Sequence, residues 1–265
     1  MNKIKVIMEK EFDEILKNKS LLATMIFLPL LFVAICTGLI VSLAFISPSA
    51  SDMNETQMYL SLMPPEFADK PFQEVMLRFA INAVLPFFMV IPAMVPIMIS
   101  SYSIIGEKRN RTLEPLLASP VKVSDIIVGK ALSALVPSIL TTWVLAAVFM
   151  VIIDVVSYPV LNEILLPNTM WLIGIIILAP LLSLFGVLLT VLISSRVEDP
   201  RTAQQVSVVV VLPLVGLFIM QMAGLALMNL TILIGFVLAI LVLDVLTVWF
   251  SSKMFGREEI LTRWK

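Results

Sequence analysis

Six stretches of this chain are long and apolar enough to cross a lipid bilayer, and no other feature restricts its fold so tightly. A hydrocarbon core of ~30 Å, divided by the 1.5 Å rise of an α-helix, asks for about 20 apolar residues per crossing. Leu21 to Ile46 contains no charge, Val75 to Ile105 only Arg78, Ile126 to Ile153 only Lys130, and Trp171 to Ser194 none. After Gln205 a nearly unbroken apolar run continues to Phe250. As one helix it would reach roughly 65–70 Å, which suits two crossings and a turn. Gly224 to Asn229 is the best place for that turn. The expected fold is an all-α membrane protein, a single transmembrane domain over 1–265. Its spans are 21–46, 75–105, 126–153, 171–194, 205–223 and 230–250.

Composition agrees. Hydrophobic residues make up 60% of the chain and charged residues 14%, against about 45–50% and about 25% in soluble domains. There is too little polar surface to coat a water-facing globule. The chain has no histidine, which removes the usual metal ligand and the usual neutral-pH base. Its one cysteine, Cys36, lies in an apolar run, cannot form an internal disulfide, and reads as a small hydrophobe.

The placement of the cations orients the spans. With the N-terminus in the cytoplasm, segments 1–20, 106–125 with the base of span three, 195–204 and 251–265 hold 16 of the 18 Lys and Arg residues. The opposite side holds only Lys70 and Arg78. The positive-inside rule therefore places both ends in the cytoplasm of a multi-pass protein of the cell membrane. A cleaved signal peptide is the competing reading of the start. Its apolar core would span 7–15 residues, whereas this run is longer and follows a long charged segment.

Residues 2–19 read as an amphipathic helix. Ile4, Met8, Phe12, Ile15 and Leu16 share a face, with Lys5, Glu9, Lys10, Asp13 and Lys17 elsewhere. Such a helix suits the cytoplasmic interface and membrane lipid; a soluble N-terminal helix is the plainer alternative. The first outer loop is acidic and proline-rich. In the second, Val160 to Leu166 is apolar enough to rest on the surface as a short helix. Spans one to five each carry proline, which kinks helices but is common in membrane spans. Asp244 is the ionisable residue that reads as lying well inside a span. It is a shallow or paired carboxylate, or one member of an intramembrane polar site that would need further groups.

The most informative stretch is 106–124, between spans two and three. It begins Gly106-Glu107-Lys108-Arg109-Asn110-Arg111-Thr112-Leu113-Glu114-Pro115-Leu116-Leu117-Ala118-Ser119-Pro120. Thr112 can cap a short helix, with Pro115 in its first turn and Pro120 stopping it. Leu113, Leu116 and Leu117 then form an apolar face with a charged rim, suited to a groove on a partner or to packing on the protein's own spans. This run, entered from a long second span and followed by Gly129-Lys130 in the third, resembles the signature of permease subunits of type-2 ABC exporters. The similarity extends to the whole layout. It implies that 106–124 holds a cytoplasmic coupling helix docking into a separate ABC ATP-binding subunit. Glu107, Arg109, Arg111, Thr112, Leu113, Glu114, Leu116, Leu117 and Pro120 would form the transmission contact. It also implies two ATP-binding subunits and a second permease, a homodimeric copy or a paralogue. A re-entrant hairpin between spans five and six, usual in that family, has little room here.

No Gly-x-x-x-x-Gly-Lys-Ser/Thr run is present, so ATP and Mg are expected on the partner and no cofactor on this chain. Catalytic and metal-site residues are not expected: His-Glu-x-x-His is impossible and no Gly-x-Ser-x-Gly elbow occurs. Nothing points to nucleic acid. The alternative function, an ion-gradient-driven secondary transporter, would need convergent ionisable groups near midplane, for which Asp244 alone is thin support.

Overall fold

Inside hydrocarbon no water can serve a bare N–H or C=O, so each crossing must close its hydrogen bonds internally. The computed structural model describes residues 3–45, 72–109, 123–194, 197, 199–222 and 230–254, and among these all regular structure is helical. Helix α1 (Lys3–Lys17) leads after one residue into α2 (Lys19–Phe45). The second crossing is α3 (Phe72–Phe88) and α4 (Val90–Arg109), joined at Met89. The third is α5 (Val123–Leu161). The fourth is α6 (Thr169–Ile173), a π-helical turn Gly174–Leu178, and α7 (Ala179–Ser194). The fifth is α8 (Pro200–Ser207), a 3₁₀ turn Val208–Val211, and α9 (Leu212–Met222); α10 (Leu230–Met254) is the sixth. Among the described residues six segments are long and apolar enough to span a membrane: Lys19–Ser42, Glu74–Glu107, Asp125–Pro159, Thr169–Ser194, Pro200–Met220 and Leu230–Ser251.

Two boundaries differ most from the sequence expectation, and at each a carboxylate caps backbone. Span three continues past Ile153 to Leu161. Asp154, expected to open a loop, lies in the helix and accepts the N–H groups of Leu165 and Leu166, both at 3.0 Å. Asn162, at φ 55°, turns the chain out of the helix, and the expected short surface helix over Val160 to Leu166 does not form. Span five begins before Gln205, at Pro200. Asp199 is its N-cap, accepting from Thr202 N at 3.1 Å, and Pro200 occupies the first turn, where its missing N–H costs nothing. The expected turn at Gly224 to Asn229, and with it the place for a re-entrant hairpin, lies outside the described residues.

Span two is the core: 67% of its most apolar part is buried, against 22–33% for spans one, three, five and six. Its α4 half packs on α7, α5 and α8. Gly186 of α7 makes this approach possible, because a Cβ there would stand 2.9 Å from the Ala93 carbonyl oxygen. Phe88, Phe149 and Trp171 form a buried aromatic cluster with centroids 4.9–5.6 Å apart. The Trp171 indole N–H donates to Ile81 O at 3.2 Å.

Prolines leave carbonyls without donors, and neighbouring side chains answer two of them. Pro96 cannot donate to Pro92 O, which accepts instead from Ser183 Oγ at 2.9 Å; Ser138 Oγ in turn donates to Ser183 Oγ at 3.1 Å. In the fourth crossing Ala179 N–H is spent on Gly174 O in the π turn, and Pro180 has no N–H for Ile175 O. The Trp143 indole of α5 supplies the missing donor at 3.0 Å.

Trp143→Phe keeps an aromatic side chain, smaller than the indole, and removes that donor. The expected cost is about 1–3 kcal/mol, measured as a lower unfolding midpoint in detergent. Gly186→Val should also destabilise. Gly235→Ala, where a Cβ meets nothing within 4 Å, should stay within about 0.5 kcal/mol of the parent.

Candidate functional site

The N-terminal helix packs on α5, at the end of the bundle where α4 finishes and α5 starts. Its buried face is Ile7, Glu11 and Ile15, with Leu16 63% exposed; the expected stripe of Ile4, Met8, Phe12, Ile15 and Leu16 is thus rotated towards Ile7 and Glu11. Contact is close because Gly129 has no side chain. A Cβ there would lie 2.8 Å from Ile7 Cγ2. One residue along α5, Lys130 reaches the same surface.

Lys130 is the centre of a buried ion network, 7% exposed, with Glu11 1% and Glu107 4% exposed. Its Nζ lies 2.8 Å from Glu11 Oε1, 2.9 Å from Glu107 Oε2, and donates to Ser103 Oγ at 2.9 Å. Ser103 Oγ donates to the other oxygen of Glu11. Lys10, half-exposed, closes the ring by donating to Glu107 Oε1 at 2.7 Å and pairing with Glu14 at 3.3 Å. Three helices, α1, α4 and α5, therefore meet on one ammonium. Beside it opens a cleft of about 380 Å³ whose lining includes Glu14, Asn18, Tyr102 and Gly106.

Burial alone would lower the Lys10 pKa. Its hydrogen bond to Glu107 and the charges of Glu107, Glu11 and Glu14 outweigh that, and the ammonium is held above the ordinary lysine value. A raised cation stabilises the fold fully below the ordinary value. That contribution is lost only as pH climbs through the higher folded value, so it is constant across neutral pH.

Of the residues expected in the transmission contact, Glu107 lies in this network and Arg109 ends α4. Arg111, Thr112, Leu113, Glu114, Leu116, Leu117 and Pro120 lie outside the described residues. Glu107 therefore faces inward, towards α1 and α5. Asp244 belongs to a different place: the α10 face of Leu233, Val237, Ile240, Asp244 and Thr247 is buried, and α10 packs mainly on α7. Asp244 is 4% exposed, and neither carboxylate oxygen has a hydrogen-bond partner among the described residues. Lys130, 7% exposed, is also buried, but near the start of its span. No group of three His, Cys, Asp or Glu side chains among the described residues could hold a metal ion.

Sequence reasoning missed Glu11 and placed Lys10 and Lys130 without partners. The available signal was Glu11 itself, which interrupts the apolar face four residues after Ile7 and four before Ile15. At the far end of the bundle Arg78 is likewise paired, with Glu74 at 2.8 Å and Glu163 at 2.6 Å.

Lys130→Met would leave two carboxylates buried with reduced compensation. The expected loss is about 3–5 kcal/mol, measured by denaturant unfolding in detergent. Lys10→Met should cost clearly less, because Lys10 is half-exposed.

The family model for the ABC-2 family transporter protein matches residues 5–234. No curated protein matches the chain.

Proposed function

This chain belongs to the ABC-2 transporter family, and we propose that it forms the translocation path of an ATP-driven exporter. It is a multi-pass membrane protein and a permease subunit of an ABC transporter, and such permeases normally work with a separate ATP-binding subunit. The proposal adds the direction of transport, the energy source and the docking element. Two ATP-binding subunits bearing ATP and Mg sit on the cytoplasmic side of a pair of permeases, this chain with a second copy or a paralogue. The cation distribution supports that orientation, with both ends in the cytoplasm of the cell membrane.

The observation that carries the reading is the segment 106–124 joined to a family match that covers it. Its three leucines at helical spacing, rimmed by charge, suit insertion into a protein groove. The sequence also lacks a phosphate-binding Gly-x-x-x-x-Gly-Lys-Ser/Thr run, so the nucleotide chemistry falls to the partner. ATP binding draws the two partner subunits together, the docked segments move with them, and the spans open outward.

The double variant Leu113→Asp/Leu116→Asp tests this. It should insert in the membrane as the parent does yet lose co-purification of the ATP-binding protein. Undiminished co-purification would show that 106–124 is not the docking element. If the parent chain itself captures no ATP-binding protein, the exporter reading fails altogether.

A further inference from the structure

We infer that Glu11 and Lys130 are positioning residues that make α1 move as one body with the two stems of the 106–124 segment, carrying its displacement into span one. The inference rests on the exporter reading above and deepens it. The last turn of α4 carries Glu107, and the first turns of α5 carry Gly129 and Lys130. These two stems flank the segment in sequence, and α1 holds both. Lys130 Nζ spans Glu11 and Glu107, while Lys10 of α1 takes the other oxygen of Glu107. Ile7 seats against Gly129 one turn before Glu11. The α5 stem cannot shift relative to α1 without separating Lys130 from Glu11 away from water, where an unpaired ion is expensive. The α4 stem cannot do so without breaking the Ser103–Glu11 and Lys10–Glu107 contacts.

The joint between α1 and α2 is equally tight. A single residue, Asn18, separates them. Its N–H donates to Glu14 O and Ile15 O, its carbonyl accepts from Leu22 N, and its side chain caps α2 by accepting from Leu21 N at 3.1 Å. A displacement of α1 therefore arrives at α2, whose outer face (Phe27, Leu31, Ile35, Leu39) is open to lipid or to another subunit. This gives a contiguous physical route from the stems to span one.

The test uses the permease purified with its ATP-binding subunit in proteoliposomes, with Cys36→Ser and a fluorophore on Leu39→Cys, a 60% exposed site on α2. ATP with Mg is the probe, and the signal is the ATP-induced fluorescence change. Replacing both ions, Glu11→Met/Lys130→Met, roughly preserves volume, removes Glu11 together with its partner, and leaves Glu107 paired with Lys10 alone. It should leave co-purification and ATP hydrolysis in place while shrinking the signal at Leu39 by about fivefold or more. Adding Ile7→Cys/Gly129→Cys and oxidising the pair before labelling replaces the ionic clamp with a covalent one, and should restore the signal. Because a disulfide also stabilises a weakened fold, the readout that sets this apart from a purely structural role is the retained co-purification and ATP hydrolysis of the uncross-linked double methionine variant.

A parent-sized signal in the double methionine variant would overturn the inference. So would a parent complex that responds at a label on Val128→Cys, on the α5 stem, but not at Leu39. Failure to capture any ATP-binding protein is a different result, and it removes the exporter reading on which the inference stands.

Discussion

A carbonyl that a proline strips of its donor has no water to turn to within hydrocarbon, so some other group must be built to reach it. This protein places prolines in its most buried crossings and meets the demand from neighbouring helices. Ser183 serves Pro92 O across the α4–α7 contact, and Trp143 serves Ile175 O across the α5 contact with the fourth crossing. Each repair requires two helices at one separation and one rotation. The repairs therefore do more than satisfy backbone: they fix the register of α4, α5 and α7, the three helices around which the others are arranged. Gly186 opposite Ala93 O belongs to the same solution, since Ser183 reaches its target only where the backbones run close.

The same three-way arrangement recurs at the end of the bundle in charged form. Lys130 joins α5 to α4 and to α1 through carboxylates and a serine hydroxyl. In the proline-rich middle, neutral hydrogen bonds suffice because the surroundings are apolar and the donors are fixed. Near the end, where the proposed docking segment leaves the spans, the contact between elements is ionic and longer in reach. Lys10, half-exposed, gives that network an edge in water.

The number of crossings was legible because it depends on apolar length, a property each segment carries alone. Boundaries were less so. Asp154 and Asp199 look like loop residues, yet one caps the returning chain and the other starts a helix, and a polar side chain does not announce which N–H it will serve. The ion network was hidden for a deeper reason. Glu11 is 92 residues from Ser103 and 119 from Lys130, and pairing at such separations leaves no periodic trace. Only the acid breaking an apolar stripe on α1 betrayed it. Glu107 was found for its place in the 106–124 run, but the run could not say that its side chain points inward.

The choice of ions at that junction is itself informative. A buried ion pair is a poor source of stability, and well-packed apolar side chains of similar size are often as good or better. An apolar face would also be permissive, since leucines slide past one another with little change in contact. A set of charges in which each lysine bridges more than one acid has a preferred register, and departures from it expose poorly paired ions. Ile7 against Gly129 sets the distance between α1 and α5; Lys130 against Glu11 and Glu107 sets their alignment along the helix axes. An arrangement of this kind resists relative sliding more than it resists motion of the three pieces together. That is the mechanical property the proposed docking segment would need in order to hand its movement to a long span.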